Sequence, residues 1–116
     1  MLNVSWVKCG KEESWCPLET VDLSEVRTEG FYVIWHGGKH SRVVRIGQGD
    51  IRDRLTAHRA DFEILLYRKA GLLQVTWAAV SAAQRDGVER YLANQWPPLV
   101  GDAFPNVLPI AVNAPW

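Results

Sequence analysis

Cysteine, net charge and long apolar runs are all scarce in this chain of 116 residues. Two cysteines, Cys9 and Cys16, are too few for a disulfide framework, and they do not form a Cys-x-x-Cys pair. They read as free thiols in a reducing compartment. None of the three histidines has a zinc-like spacing to a cysteine, which leaves no basis for a structural zinc. No stretch approaches the ~18 consecutive apolar residues of a membrane span. Met1 to Trp6 lacks a basic region followed by an apolar block, so no secretory signal is expected. These absences point to the cytoplasm, away from membranes. A net charge of zero argues against a protein that coats nucleic acid without selectivity. Repeats, low-complexity tracts and linkers are missing too.

What is present is the composition of an ordinary globule, 47% hydrophobic and 22% charged, at a length suited to one domain and one core. Charge is unevenly spread. Residues 1–29 hold three basic side chains against six acidic, while Lys39 to Lys69 holds eight against four. The middle third is therefore locally positive, as either a solvated helix face or a phosphate-binding face would be.

Residues 1–29 read as a lead-in segment with a short helical turn near Leu23 to Val26, and 30–116 as the domain proper. Gly30-Phe31-Tyr32-Val33-Ile34-Trp35 is a β-branched and aromatic run, and Arg42-Val43-Val44-Arg45-Ile46 is a second. The Gly37-Gly38 turn between them predicts a β-hairpin. Gly47-Gln48-Gly49 closes the second strand, and Asp50 is a good N-cap for a helix from Ile51. That helical stretch, with a possible break, runs to about Ala70 on an apolar stripe of Ile51, Leu55 and Phe62. A third strand spans Leu72 to Val80. Ser81-Ala82-Ala83-Gln84 has the form of a capping box. It starts a helix to about Trp96, with Val88, Tyr91, Leu92 and Trp96 at buried spacing and Gly87 inside it. Pro97-Pro98 ends that helix. The order is β-β-α-β-α, and the expected fold is α+β, a small three-stranded antiparallel sheet flanked by helices.

Several polar residues fall at telling places on these elements. Gly30-Phe31-Tyr32 and Arg45-Ile46-Gly47 sit on the first two strands. Arg54 and His58 form an Arg-x-x-x-His pair on the next helix, Glu89 lies on the last helix, and Asn106 follows it. Taken in this order, from Gly30 to Asn106, they resemble the GIY-YIG nuclease family. The connecting stretch Ile46-Gly47-Gln48-Gly49 and Ile51-Arg52-Asp53-Arg54-Leu55 resembles bacterial members as well. The resemblance implies a metal-dependent endonuclease acting on nucleic acid, DNA in the first instance, with Mg²⁺ or Mn²⁺ as its ion. Tyr32 would be the base, its phenol pKa lowered by Arg54 and the metal, and Asn106 would fix a loop.

The residue types suit that chemistry. Phosphodiester hydrolysis needs an activated water, a cation on the non-bridging oxygens and help for the leaving oxygen. Glu89 is a hard oxygen ligand suited to Mg²⁺. Arg54 can donate paired hydrogen bonds to a phosphate, and His58 lies one turn away on the same helix face. Arg45, Gly47, Gln48 and Arg52 are candidate substrate contacts, Gly47 because it lets a phosphate come close. Singly, each has a plainer reading, such as a strand tyrosine, helix-edge cations or an exposed glutamate. The second motif carries Arg45 where the family has tyrosine, and alternation places Arg45 with Val43 and Val44 with Ile46. Arg45 suits a phosphate contact, and it equally suits a module that binds nucleic acid without cutting it. With no room for a separate recognition domain, selectivity would come from substrate structure, a homodimer or a partner protein. Trp35, Trp77 and Trp96 read as core, whereas Trp6, Trp15 and Trp116 lie in irregular segments where stacking on unpaired bases is open to them.

Overall fold

A computed structural model describes residues 1–10, 14–101 and 104–116. The elements are β1 (Cys16–Pro17), β2 (Glu29–His36), β3 (Arg42–Asp50), α1 (Ile51–His58), α2 (Phe62–Leu65) with a 3₁₀ turn at Leu66–Lys69, β4 (Leu73–Ala79) and α3 (Ala82–Gln95). The fold is α+β, an antiparallel sheet in the order β1-β4-β2-β3. The sheet has four strands where three were expected. The additional one is the two-residue β1, in which Cys16 and Pro17 pair with Val75 and Gln74 on the outer edge of β4. Local sequence could not mark it, because two residues with a proline carry no alternation.

Two cores cover the two faces. Tyr32, Ile34, Val44, Val75 and Trp77 pack with Ile51 and Leu55 of α1, Ile64 of α2 and Leu18 and Leu23 of the first segment. On the opposite face Phe31, Val33, Trp35, Val43 and Ile46 pack with Val88 and Leu92 of α3. The chain ends close this second core. Trp6 meets Phe31 edge-on at 5.0 Å and donates its indole N–H to the Asn113 carbonyl at 2.9 Å. Gly87, costly inside a helix by propensity, belongs to this packing. A Cβ there would stand 2.5 Å from Ile110 Cγ1, and the Ile110 N–H donates to the Gly87 carbonyl at 2.9 Å.

Three local expectations are corrected. The apolar stripe of α1 does not continue through Phe62, which is 75% exposed, while Ile64 is fully buried. The helix stops at His58, and Asp61 caps a new turn by accepting from the Glu63 N–H, so the helical phase restarts. The capping box at Ser81 does not form, since its hydroxyl donates to the Gln84 side-chain oxygen instead of meeting a backbone N–H. Cys9 and Cys16 are not free thiols but a disulfide. The cytoplasmic expectation thereby loses its cysteine argument, because such bonds persist in oxidising compartments. No helix among the described residues is long and apolar enough to cross a membrane.

Strand β3 sets the geometry that matters most. It continues through Gly47-Gln48-Gly49 to Asp50, which pair with Tyr32 back to Glu29. Between Ile34↔Arg45 and Trp35↔Val43 the register slips by one residue, leaving Val44 as a bulge. Strict alternation therefore fails. Val43 shares the α3 face with Ile46, while Arg45, opposite Ile34, joins Val44 on the face of Tyr32. The outer edge of β3 is partly covered, since Leu99 and Val100 donate to the Val43 and Val44 carbonyls at 3.2 and 2.8 Å.

Candidate active site

Beyond that cover, a cleft of about 630 Å³ forms among the described residues along Arg45 to Gln48 of β3. Tyr32, Arg45 and Gly47 reach it from one face of the sheet, Arg54 from α1 and Glu89 from α3 on the other face. Each side chain is placed by a local reason. Tyr32 is opposite Gly47 in the ladder, and the missing side chain of Gly47 gives the phenol its space, because a Cβ would stand 2.2 Å from Tyr32 Oη. Asp50 caps α1 by accepting from the Asp53 N–H at 3.0 Å, which starts the helix so that Arg54 turns back over Gly49. The Arg54 Nε–H donates to the Gln48 carbonyl at 3.3 Å. The bulge at Val44 is what brings Arg45 to this cleft.

Behind the cleft, Tyr32 is hydrogen-bonded to His58 Nε2, and both are buried, at 1% and 8% exposure. Burial, reinforced by the Arg45 and Arg54 charges, pushes the His58 pKa from 6.5 down to about 4. His58 is therefore neutral at pH 7, and with its proton on Nδ1 its Nε2 accepts from the Tyr32 hydroxyl. The phenol pKa, expected to be lowered, is raised. Burial is the largest cause, and the pull of Arg45 and Arg54 in the other direction does not overcome it. At rest Tyr32 is a protonated phenol, and in that His58 tautomer its proton points at a base.

On the α3 side, the Gln48 side-chain amide donates to both Asp86 Oδ1, at 2.8 Å, and Glu89 Oε2, at 3.0 Å. Burial raises the Glu89 pKa and Asp86 raises it further, against the Gln48 hydrogen bond and the two arginines. One amide thus holds two carboxylates a helical turn apart. No cluster of three or more His, Cys, Asp or Glu occurs among the described residues. The pair suits an ion that keeps most of its water and takes one or two carboxylates, as Mg²⁺ does.

Two cations balance them. Among the described residues the one ion pair is Arg68–Glu19 at 2.9 Å, so neither Arg45 nor Arg54 is neutralised there. Arg45 Nε is buried without a hydrogen-bond partner among the described residues. An unsatisfied buried donor on a guanidinium is costly.

Of the residues expected from sequence, Tyr32, Arg45, Gly47, Gln48, Arg54 and Glu89 line the cleft, and His58 backs it. Arg52 lies outside, exposed, donating weakly to the Ser24 carbonyl at 3.4 Å. Asn106 is exposed beyond the rim, which Phe104 and Pro105 form instead. Asp86 was missed, although its i, i+3 relation to Glu89 was a readable signal. Nothing local marked Phe104 or Gly101. Compared with known proteins, the chain matches no family model, no curated protein and no solved structure.

Proposed function

We propose that this chain is a metal-dependent endonuclease of the GIY-YIG type that hydrolyses phosphodiester bonds in nucleic acid, with DNA as the substrate to test first. The observation that carries the reading is the convergence of Tyr32, Arg45, Arg54 and Glu89 on one cleft, with His58 bonded behind Tyr32. Two guanidinium groups without ion-pair partners among the described residues face Glu89, which Gln48 ties to Asp86. Phosphate would take the cationic side and a divalent ion the anionic side.

The residues supply the following chemistry. Arg45 and Arg54 bind the non-bridging oxygens and hold charge that grows in the transition state. Burial is the main cause of the low His58 pKa and persists. The arriving phosphate offsets the Arg45 and Arg54 charges that add to it, so the proton affinity rises in part. His58 then takes the Tyr32 proton, and the phenolate takes a proton from the attacking water. Hydroxide adds to phosphorus, the P–O ester bond breaks, the leaving oxygen takes a proton from solvent, and His58 gives the proton it accepted back to solvent. Tyr32 thus acts as a relay, consistent with a phenol that is not itself acidified. Glu89, with Asp86, would hold Mg²⁺ or Mn²⁺, which polarises the phosphoryl oxygen and lowers the charge on the leaving group when bound.

The second reading, a module on the same scaffold that binds without cutting, is favoured by Arg45 in the tyrosine position and by the raised phenol pKa. Incubation of purified protein with supercoiled plasmid and branched DNA, in Mg²⁺, Mn²⁺ or EDTA, separates the two. Metal-dependent nicking that Tyr32→Phe and Glu89→Ala both abolish is the expected result. An inert wild type that retains DNA in a mobility shift would establish the binding module instead.

A further inference from the structure

Four of the six tryptophans surround a second cleft. Trp15 and Trp35 meet edge-to-face at 5.3 Å, Trp35 and Trp116 at 5.1 Å, and Trp96 and Trp116 at 5.3 Å. These indoles come from four separate segments: the approach to β1, strand β2, the end of α3 and residue 116 itself. A cluster serving only as core would close on itself. This one leaves an open cleft of about 470 Å³ with Arg42 and Gln95 on its wall, and Trp116 remains 53% exposed. That volume suits a flat organic ring system.

The charge of the walls restricts the ligand. Arg42 lines the cleft, Lys8 Nζ sits 4.8 Å over the Trp15 ring, and no Asp or Glu side chain lines it among the described residues. An aromatic cage for an organic cation would not carry its own cations. A flat, aromatic ligand that bears negative charge fits both features.

We propose that this cleft takes an unpaired nucleobase of a single-stranded nucleic acid, stacked on the exposed Trp116 indole, with the adjoining phosphate on Arg42. The inference rests on the nucleic-acid reading of the first cleft, and the two sites share one seam. Strand β3 runs from Arg42 at the aromatic cleft to Gln48 at the other, and α3 runs from Glu89 to Gln95. Six residues of helix cover about 9 Å and six of strand about 20 Å, a span of a few nucleotides. A base held at one end of the seam places a nearby phosphodiester at the other end. The chain would then select substrates that offer a short unpaired stretch, such as a flap, fork or gap.

The test is binding of fluorescein-labelled 8-mers, as single-stranded DNA, single-stranded RNA and duplex DNA, followed by anisotropy in EDTA so that no strand is cut. A decaproline peptide is the control for an aromatic groove that takes polyproline. Wild type should bind a single strand at least about fivefold more tightly than the duplex. Trp116→Ala and Arg42→Ala should each weaken that binding by about tenfold, the scale of one lost base stack, and Trp116→Phe should restore most of it. Preference for DNA over RNA, or the reverse, identifies the strand. Equal affinity of wild type and both alanine variants overturns the proposal, as does binding of decaproline alone or no binding of any single strand. Glu89→Ala, assayed for plasmid nicking, keeps the two readings apart. If it abolishes nicking while Trp116→Ala binds like wild type, only the aromatic site falls. If nicking survives Glu89→Ala while Trp116→Ala binds weakly, only the active-site reading falls.

Discussion

Substituting Gly47 by alanine should damage both the fold and the chemistry, through one contact. The new Cβ would lie 2.2 Å from Tyr32 Oη and 2.5 Å from its Cζ, where ordinary contacts begin at 3.4 Å. Relief requires the end of the ring to retreat by the shortfall, about 1.2 Å. It has little room to do so, because Tyr32 is 1% exposed and its hydroxyl is bonded to His58, itself 8% exposed. Overpacking of this kind costs about 1–3 kcal/mol, and loss of the buried hydrogen bond adds about 1 kcal/mol. A destabilisation of about 2–4 kcal/mol is expected from urea unfolding. A displacement near 1 Å at a reacting group lowers rate by about 10²-fold, so single-turnover nicking by the folded fraction should fall on that scale. A variant within about 0.5 kcal/mol of wild type that nicks at the same rate would refute the reasoning, since Tyr32 could not then be lodged over Gly47.

His58 gives the fold a pH dependence of definite sign. Its pKa is about 4 in the fold against 6.5 in the unfolded chain, so between those values the unfolded chain binds a proton that the fold refuses. Its contribution is complete above about pH 6.5 and lost as pH falls to about 4, an effect of about 3 kcal/mol. Glu89, whose pKa is raised, acts in the opposite direction, so the comparison is wild type against His58→Gln. The variant's urea midpoint should fall less steeply with acidification, and parallel slopes would show that His58 is not buried neutral. The Cys9–Cys16 bond closes a short loop, with a sequence separation of seven. Reduction should lower stability by about 2 kcal/mol, seen as a urea midpoint that drops with dithiothreitol in wild type but not in a Cys9→Ser/Cys16→Ser variant. A wild-type midpoint indifferent to reductant would mean that the bond does not form.

Features governed by neighbours in sequence were readable, and those governed by distant contacts were not. The β2 run declares itself by its β-branched and aromatic content, and Asp50 caps α1 as its position suggests. The bulge at Val44 is invisible locally, because it is the pairing with β2 that leaves one residue over. It decided the most consequential orientation, that of Arg45. Phe62 was misplaced because the stripe was extended across a helix break whose new cap, Asp61, resets the phase. Strand β1 depends on the first segment folding back onto β4, a contact across 58 or so residues that no spacing rule encodes. The Cys9–Cys16 bond, by contrast, is local, and it was misread because two cysteines are too few to signal a disulfide framework. At the cleft, polar residues on elements of known phase were anticipated, while Phe104 and Pro105 arrive on a proline-rich tail whose path follows no period. The tyrosine pKa went the other way from expectation because burial outweighs two nearby cations.

The central claim is that Tyr32 and Glu89, which reach one cleft from opposite faces of the sheet, act as a single phosphodiester-cleaving unit. Single-turnover nicking of plasmid by wild type, Tyr32→Phe, Glu89→Ala and the double variant tests it most directly, in Mg²⁺ and with urea unfolding to verify that each protein is folded. Groups that act as a unit are strongly non-additive. The expected result is that each single substitution lowers the rate by at least about 10²-fold and that the double variant is hardly slower than either. Rates equal to wild type in the single variants, or losses that simply multiply in the double, would contradict it.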